Sequence, residues 1–181
     1  MTSFARLAPV AVAALLSACA GTSMKPTPPT VVIPANLAAP AGETLQRTLW
    51  AEGVQIYECR AGAAGASPAW AFVAPDASLK TADGVLVGHH YAGPTWEAGD
   101  GSKVVGVVKA KVDAPDAGAI PWLLLTTHST GKPGLFANVT SIQRVATVGG
   151  AMPAAGCDAT SVGQQAKVPY KAQYTQYIPT L

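Results

Sequence analysis

The stretch HHYAGPTWEAGDGS, residues 89–102, decides how this chain folds. It holds two of the three histidines and one of the four tryptophans. Asp100-Gly101 predicts a hairpin, because Asp and Gly tolerate the positive φ of a tight turn. Gly93-Pro94 predicts a second corner. The stretch is therefore expected to form a strand, a loop and a hairpin. We expect its main role to be structural, and it is also a candidate site.

The segments outside this stretch have the composition of β-strands. They are rich in Val, Ile, Thr and aromatic residues and are bounded by Gly, Pro, Asp or Asn. No twelve-residue window shows a helical stripe free of helix breakers. We predict strands at 44–50, 54–59, 70–73, 85–91, 103–112, 120–127, 139–148 and 170–177, with Glu52-Gly53 closing a hairpin between the first two. Eight short strands predict an all-β single domain, either a β-sandwich or a closed barrel.

One predicted strand differs from the others because it is apolar throughout. Residues 120–125 read IPWLLL, which predicts a central strand covered on both faces, with Trp122 in the core. Pro121 must then lie at the start of the strand, where the missing backbone donor costs little.

Composition limits the possible functions. A length of 181 residues fits one domain, and 49% hydrophobic residues suffice for a core. Charged residues make up 12% of the chain and the net charge is +2, which gives no field that would select nucleic acid as a partner. The 18 glycines and 15 prolines are scattered without a repeat period, which favours short strands and turns.

The N-terminus predicts a lipoprotein signal. Arg6 precedes an apolar run at 7–15, and Leu16-Ser17-Ala18-Cys19 resembles a bacterial lipobox, which implies cleavage after residue 18 and lipid on Cys19. The alternative is a soluble secreted protein cut after Ala20. Ala20 after the cysteine implies the outer membrane by the sorting pattern of such lipoproteins. We therefore expect a signal peptide at 1–18, a lipidated Pro-rich tether at 19–40 and the domain at 41–181, with membrane attachment through Cys19.

Two further predictions concern the end of the tether and the cysteines of the domain. Residues 31–33, Val-Val-Ile, are apolar enough either to remain in the tether or to dock on the domain. With Cys19 lipidated, Cys59 and Cys157 are left, and an oxidising envelope compartment favours a disulfide between them. A redox role is the weaker alternative, because the chain has no Cys-x-x-Cys.

Several ordered motifs together resemble a known family. They are GVQIYEC at 53–59, HYAGPTWE at 90–97, DGS at 100–102, IPWLLL at 120–125, IQRV at 142–145, GG at 149–150, CD at 157–158 and VPY at 168–170. The set is similar to an uncharacterised domain-of-unknown-function family of secreted bacterial and fungal proteins. The resemblance covers essentially the whole domain, and the family has no established activity that it could suggest for this chain. Some fungal members carry a malate dehydrogenase label, but this chain has no G-x-G-x-x-G after a strand and no strand-helix alternation, so we expect no nucleotide cofactor.

Catalytic and metal-binding arrangements are incomplete in the sequence. A metal site would need His89, His90 and His128 with Glu97 or Asp100, but adjacent histidines on a strand point to opposite faces. We therefore predict no metal site. A Ser-His-Asp arrangement of Ser102 or Ser129 with His90 and Asp100 lacks a nucleophile elbow, and Asp-Gly-Ser is better explained as a turn.

The aromatic residues are the better functional lead. The tryptophans and tyrosines are numerous enough for a stacking face for sugars or an anchor patch for a protein, and we expect Trp96 to be partly exposed in a loop. The candidate binding residues are His90, Tyr91, Trp96, Glu97 and Asp100. The sequence thus favours an envelope lipoprotein whose non-catalytic β-domain binds a cell-wall polymer or an envelope protein. The alternative is an envelope hydrolase or metalloenzyme that uses His90 with Glu97 or Asp100.

Overall fold

A computed structural model of the protein describes residues 31–181. The predicted signal peptide, the lipidation site at Cys19 and the first part of the tether lie outside the described residues. Within the described part of the chain, no helix is long and apolar enough to cross a membrane.

The domain is all-β and forms a closed barrel of eight antiparallel strands in sequence order, with β8 paired to β1. Of the two predicted architectures, the barrel is the one observed. The strands are β1 Glu43–Arg60, β2 Ala69–Lys80, β3 Leu86–Tyr91, β4 Thr95–Ala98, β5 Lys103–Val112, β6 Trp122–Ser129, β7 Ser141–Gly149 and β8 Gln165–Pro179.

The predicted hairpin at Glu52-Gly53 is wrong, because both residues lie inside the long strand β1. Gly53 serves close packing between strands and not a turn. A Cβ at this position would lie 2.1 Å from the carbonyl oxygen of Asp76 on β2. The glycine therefore lets β1 and β2 approach each other closely, and the two predicted strands merge into the single strand β1.

The stretch that opened the sequence analysis contains a strand that was not predicted. Residues 95–98 form β4, which pairs with β3 on one side and β5 on the other. Trp96 therefore lies in a strand and not in a loop, and only 1% of it is exposed. The expectation that Trp96 is partly exposed is wrong. The turn at Asp100-Gly101 is observed between β4 and β5.

The barrel interior is packed by one large hydrophobic cluster. Alternate residues of each strand point inward, so the cluster draws on most strands and on the loop before β7. Its largest members at the end of the barrel near the β4–β5 turn are Leu49, Leu79, Val104, Phe136 and Ile142. These side chains are buried against one another at this end of the barrel.

A second cluster explains why IPWLLL is apolar at every position. Leu123 and Leu125 belong to the interior cluster, whereas Trp122 and Leu124 point outward. The outward side chains are covered by the segment before β1, in which Leu37 is fully buried in a short 3₁₀ helix, Ala35–Leu37. Val31 and Ile33 pack against the same cluster, so docking is the alternative that the structure shows for residues 31–33.

The predicted disulfide between Cys59 and Cys157 is present. It joins the end of β1 to the loop between β7 and β8, across a sequence separation of 98 residues. The bond lies at the end of the barrel where β1 finishes and β8 begins.

Asp100 and Ser102 brace the opposite end. One carboxylate oxygen of Asp100 accepts hydrogen bonds from the backbone N–H and the hydroxyl of Ser102, and the other oxygen accepts one from Leu135 N–H. Ser102 Oγ in turn accepts a hydrogen bond from Phe136 N–H. These hydrogen bonds hold the pKa of Asp100 at about 2, with the Ser102 hydroxyl as the largest cause. Both residues therefore have a structural role in fixing the loop before β7.

Candidate functional site

A cavity of about 470 Å³ opens at the end of the barrel opposite the Asp100 turn. It is formed where β1, β3, β5 and β7 end and β2, β4, β6 and β8 begin. Most of its wall is apolar, including Pro75, Val108, Ile120, Leu123 and Leu125. The volume falls within the roughly 300–1,000 Å³ of typical small-molecule sites, which are also mostly apolar with a few fixed polar groups.

His90 is the buried imidazole of the cavity wall. It lies on the inward face of β3 and is 2% exposed. Its Nδ1 donates a hydrogen bond to the carbonyl oxygen of Thr95 at 2.8 Å, which places the ring proton on Nδ1 and leaves Nε2 as an acceptor. Burial lowers the pKa of His90 from 6.5 to about 3. The hydrogen bond to Thr95 opposes this shift, and the positive charge of Arg144 adds to it, both to a smaller extent. The ring is therefore neutral at physiological pH.

Trp96 and Tyr174 complete an aromatic cluster around His90. The Trp96 ring stacks on His90 with centroids 4.3 Å apart and an interplanar angle of 13°. Tyr174 packs edge-on against both rings, at 5.1 Å from His90 and 5.5 Å from Trp96. Gly106 makes room for this stack, because a Cβ there would lie 2.9 Å from the Trp96 ring. The three rings are thus held in fixed positions at one side of the cavity.

Three polar atoms of buried residues at the cavity have no hydrogen-bond partner within residues 31–181. They are Gln55 Nε2, Trp96 Nε1 and the Tyr174 hydroxyl, on side chains of residues that are 2%, 1% and 0% exposed. Buried polar groups in native proteins nearly always have partners, and an unmatched group costs roughly 1–3 kcal/mol. All three atoms have almost no solvent-accessible surface, so they lie behind the cavity wall and do not face its open space. The Tyr174 hydroxyl lies near the side chains of Arg144 and Tyr170.

Arg144 adds a positive charge to the wall. It lies half-buried on β7, and its Nε and Nη2 both donate to the carbonyl oxygen of Pro121, at 3.1 and 2.9 Å. Among the described residues, its guanidinium makes no ion pair with a carboxylate. Burial raises the pKa of Tyr174 and of Tyr57, and the Arg144 charge opposes both shifts. The field of Arg144 therefore reaches into the cavity.

A family model described as "Protein of unknown function (DUF3455)" matches residues 40–178. The chain belongs to this family. The expected membership of an uncharacterised family is confirmed, and the matched residues span all eight strands of the DUF3455 domain except the last residue of β8. No curated protein matches the chain, and no solved structure matches it either.

The DUF3455 domain brings together only two of the five candidate binding residues. His90 and Trp96 line the cavity. Tyr91 and Glu97 lie outside the barrel, where the Tyr91 hydroxyl donates to Glu97 Oε2 and Lys103 Nζ lies 3.1 Å from the same oxygen. These two contacts, with the Tyr91 hydroxyl as the larger cause, lower the pKa of Glu97. Asp100 lies at the other end of the barrel, so the carboxylates proposed as partners of His90 do not face it.

The histidines separate as the strand pattern predicts. His90 points inward, and His89 is exposed with Nε2 2.9 Å from Asp76 Oδ1. No group of three or more potential metal ligands of the His, Cys, Asp and Glu types occurs within residues 31–181. His128 is exposed on β6 and takes no part in the cavity.

Three residues of the cavity wall were not among the predicted binding residues: Gln55, Arg144 and Tyr174. Each lies two residues from a buried apolar residue of the same strand, as Arg144 lies two residues after Ile142. Residues with this spacing point to the same face of a strand. An arginine on the inward face of a strand is the signal that would have revealed the site, but the sequence does not show which face is inward until the barrel closes.

Proposed function

We propose that the protein is a lipid-anchored lipoprotein of the cell envelope, at the outer membrane facing the periplasm, whose barrel is a non-catalytic binding module. The ligand enters the cavity, and it is either a small molecule or a projecting group of a cell-wall polymer or envelope protein. The observation that carries the proposal is the largely apolar cavity with the half-buried Arg144 in its wall. The lipobox ending at Cys19 supports the anchor.

The cavity wall supports binding over catalysis. Among the lining residues that the structure describes, there is no serine, threonine, cysteine, aspartate or glutamate. A hydrolase of the predicted kind needs a nucleophile or a carboxylate within reach of its base. His90 is also a poor general base near neutral pH, since its pKa is about 3.

The test of the cavity uses a neutral, polarity-sensitive dye, Nile red, with the purified full-length protein. Val108 lines the cavity and is 51% exposed, so Val108→Trp is expected to fill the mouth and weaken dye binding with little effect on folding. Val107 is 61% exposed, points to the other side of β5 and does not line the cavity. Val107→Trp is the matched control and is expected to bind like the wild type. Equal binding by both variants, or no saturable binding by the wild type, would refute the cavity as the ligand site.

The anchor has a separate test. Bacteria that express the full chain are fed an alkyne-bearing fatty acid, and the membranes are separated by density. We expect label on the wild-type chain in the outer-membrane fraction and no label on Cys19→Ser. Unlabelled wild-type protein in the soluble periplasm, cut after Ala20, would instead support the soluble secreted alternative.

A further inference from the structure

We infer that the ligand of this cavity is a small amphipathic carboxylate, whose head binds Arg144 while its apolar body lies against the cavity mouth. This inference rests on the proposed function and names the class of ligand. Three features of the wall carry it: its positive charge, the free donors of the Arg144 guanidinium and the apolar rim.

The charge of the wall favours an anion. The charged side chains among the described lining residues are Lys111 and Arg144, both positive, and no carboxylate is among them. Residues 1–30 contain no aspartate or glutamate that could neutralise Arg144. Burying a cation without a partner is costly, so a half-buried arginine beside a cavity favours an anion from outside.

The guanidinium retains the geometry that a carboxylate needs. Of the five N–H donors of Arg144, the Nε donor and one Nη2 donor serve the carbonyl oxygen of Pro121. The remaining donors lie on Nη1 and Nη2, a pair that matches the two oxygens of a carboxylate. Because Pro121 holds the other edge, the side chain is already oriented before the ligand arrives.

The free guanidinium edge also distinguishes between head groups. A carboxylate accepts several hydrogen bonds and donates none when it is ionised. An alcohol or amide of similar size would leave Arg144 without a counter-charge.

The mouth of the cavity favours an apolar body. Phe72, Val73 and Val108 line it and remain 53%, 39% and 51% exposed. Exposed apolar side chains that surround one opening are typical of a binding site for an apolar group. The ligand would thus lie with its charge inside and its apolar end at the mouth.

The experiment compares decanoate with 1-decanol as competitors of Nile red, for the wild type, Arg144→Gln and Lys171→Gln. Lys171 is an exposed cation outside the cavity, paired with Glu52, and is the matched control. We expect decanoate to compete at least about tenfold more strongly than decanol with the wild type, since charged hydrogen bonds contribute more than about 1.4 kcal/mol. Arg144→Gln should remove this preference and leave decanol unchanged, whereas Lys171→Gln should keep it.

Two results separate the inference from the proposed function. Equal competition by decanoate and decanol with the wild type would overturn the carboxylate inference while the cavity remains the site. Absence of saturable Nile red binding would overturn the proposed function itself. If circular dichroism shows that Arg144→Gln is unfolded, Arg144→Lys replaces it, because lysine keeps the charge but lacks the paired donors of a guanidinium. The variant should then lower the preference for decanoate several-fold, and an unchanged preference would count against the inference.

Discussion

Acidification is expected to destabilise the barrel through His90. Burial lowers the pKa of this histidine to about 3 in the folded protein, against 6.5 for an exposed histidine. Because the folded pKa is the lower one, the unfolded chain binds a proton first as the pH falls below 6.5. Stability is therefore complete above pH 6.5 and is lost progressively between 6.5 and 3.

The magnitude follows from proton linkage. At pH 5 the unfolded histidine is almost fully protonated and the folded one is neutral, so the free energy of unfolding falls by about 2 kcal/mol relative to pH 8. This value does not change with the folded pKa as long as that pKa stays well below 5. Stacking on Trp96 and the hydrogen bond to Thr95 are what keep the neutral ring in place.

The assay is urea unfolding of the oxidised protein at pH 8 and pH 5, monitored by circular dichroism. His90→Gln can still donate to the Thr95 carbonyl but has no titrating ring, so its loss between the two pH values should be smaller than the wild-type loss by about 2 kcal/mol. His128→Gln changes an exposed histidine and is the matched control, which should behave as the wild type does. The same pH-dependent loss in His90→Gln and the wild type would refute the reasoning.

Three further changes test the construction of the barrel. Gly53→Ala places a Cβ 2.1 Å from the Asp76 carbonyl and should cost about 1–3 kcal/mol or more of unfolding free energy, whereas Gly99→Ala, whose Cβ would meet nothing closer than 4.0 Å, should be nearly neutral. Ser102→Ala leaves the buried Phe136 N–H without its acceptor and should cost roughly 1–3 kcal/mol in urea unfolding. Reduction of the disulfide should lower stability by up to about 4.7 kcal/mol in the chain-entropy model, and thermal unfolding with and without reductant measures it; an unchanged midpoint would contradict this.

Local sequence patterns predicted the strands wherever neighbouring residues alone decide the backbone. β5 has the predicted bounds, and the Asp100-Gly101 turn lies where its residue types require it. Gly53 shows the limit of this reasoning, since a glycine beside a glutamate fits both a turn and a close strand contact. Only the position of β2 distinguishes the two, because the atoms that exclude a side chain belong to a distant segment.

The candidate site was predicted in part for a similar reason. Strand alternation predicted that His89 and His90 point to opposite faces, and the structure has His90 buried and His89 exposed. Strand alternation could not predict on which face Glu97 lies, because residues 95–98, which form β4, were predicted to be a loop. Gln55, Arg144 and Tyr174 come from three strands, and nothing in their local sequence indicates that they share a cavity with His90.

The sequence alone therefore determined the properties that depend on residue type and short-range spacing: an all-β domain, its turns at Asp100-Gly101, the doubly covered strand at 120–125 and the pairing of Cys59 with Cys157. The tertiary structure alone decided which face of each strand is inside, and so which polar groups are buried without partners. The physical reason is that the barrel closes by pairing β8 with β1, two strands that lie far apart in the chain. Local sequence patterns contain no information about such a pairing. Only the closed barrel has an interior, and the cavity with Arg144 in its wall is part of that interior.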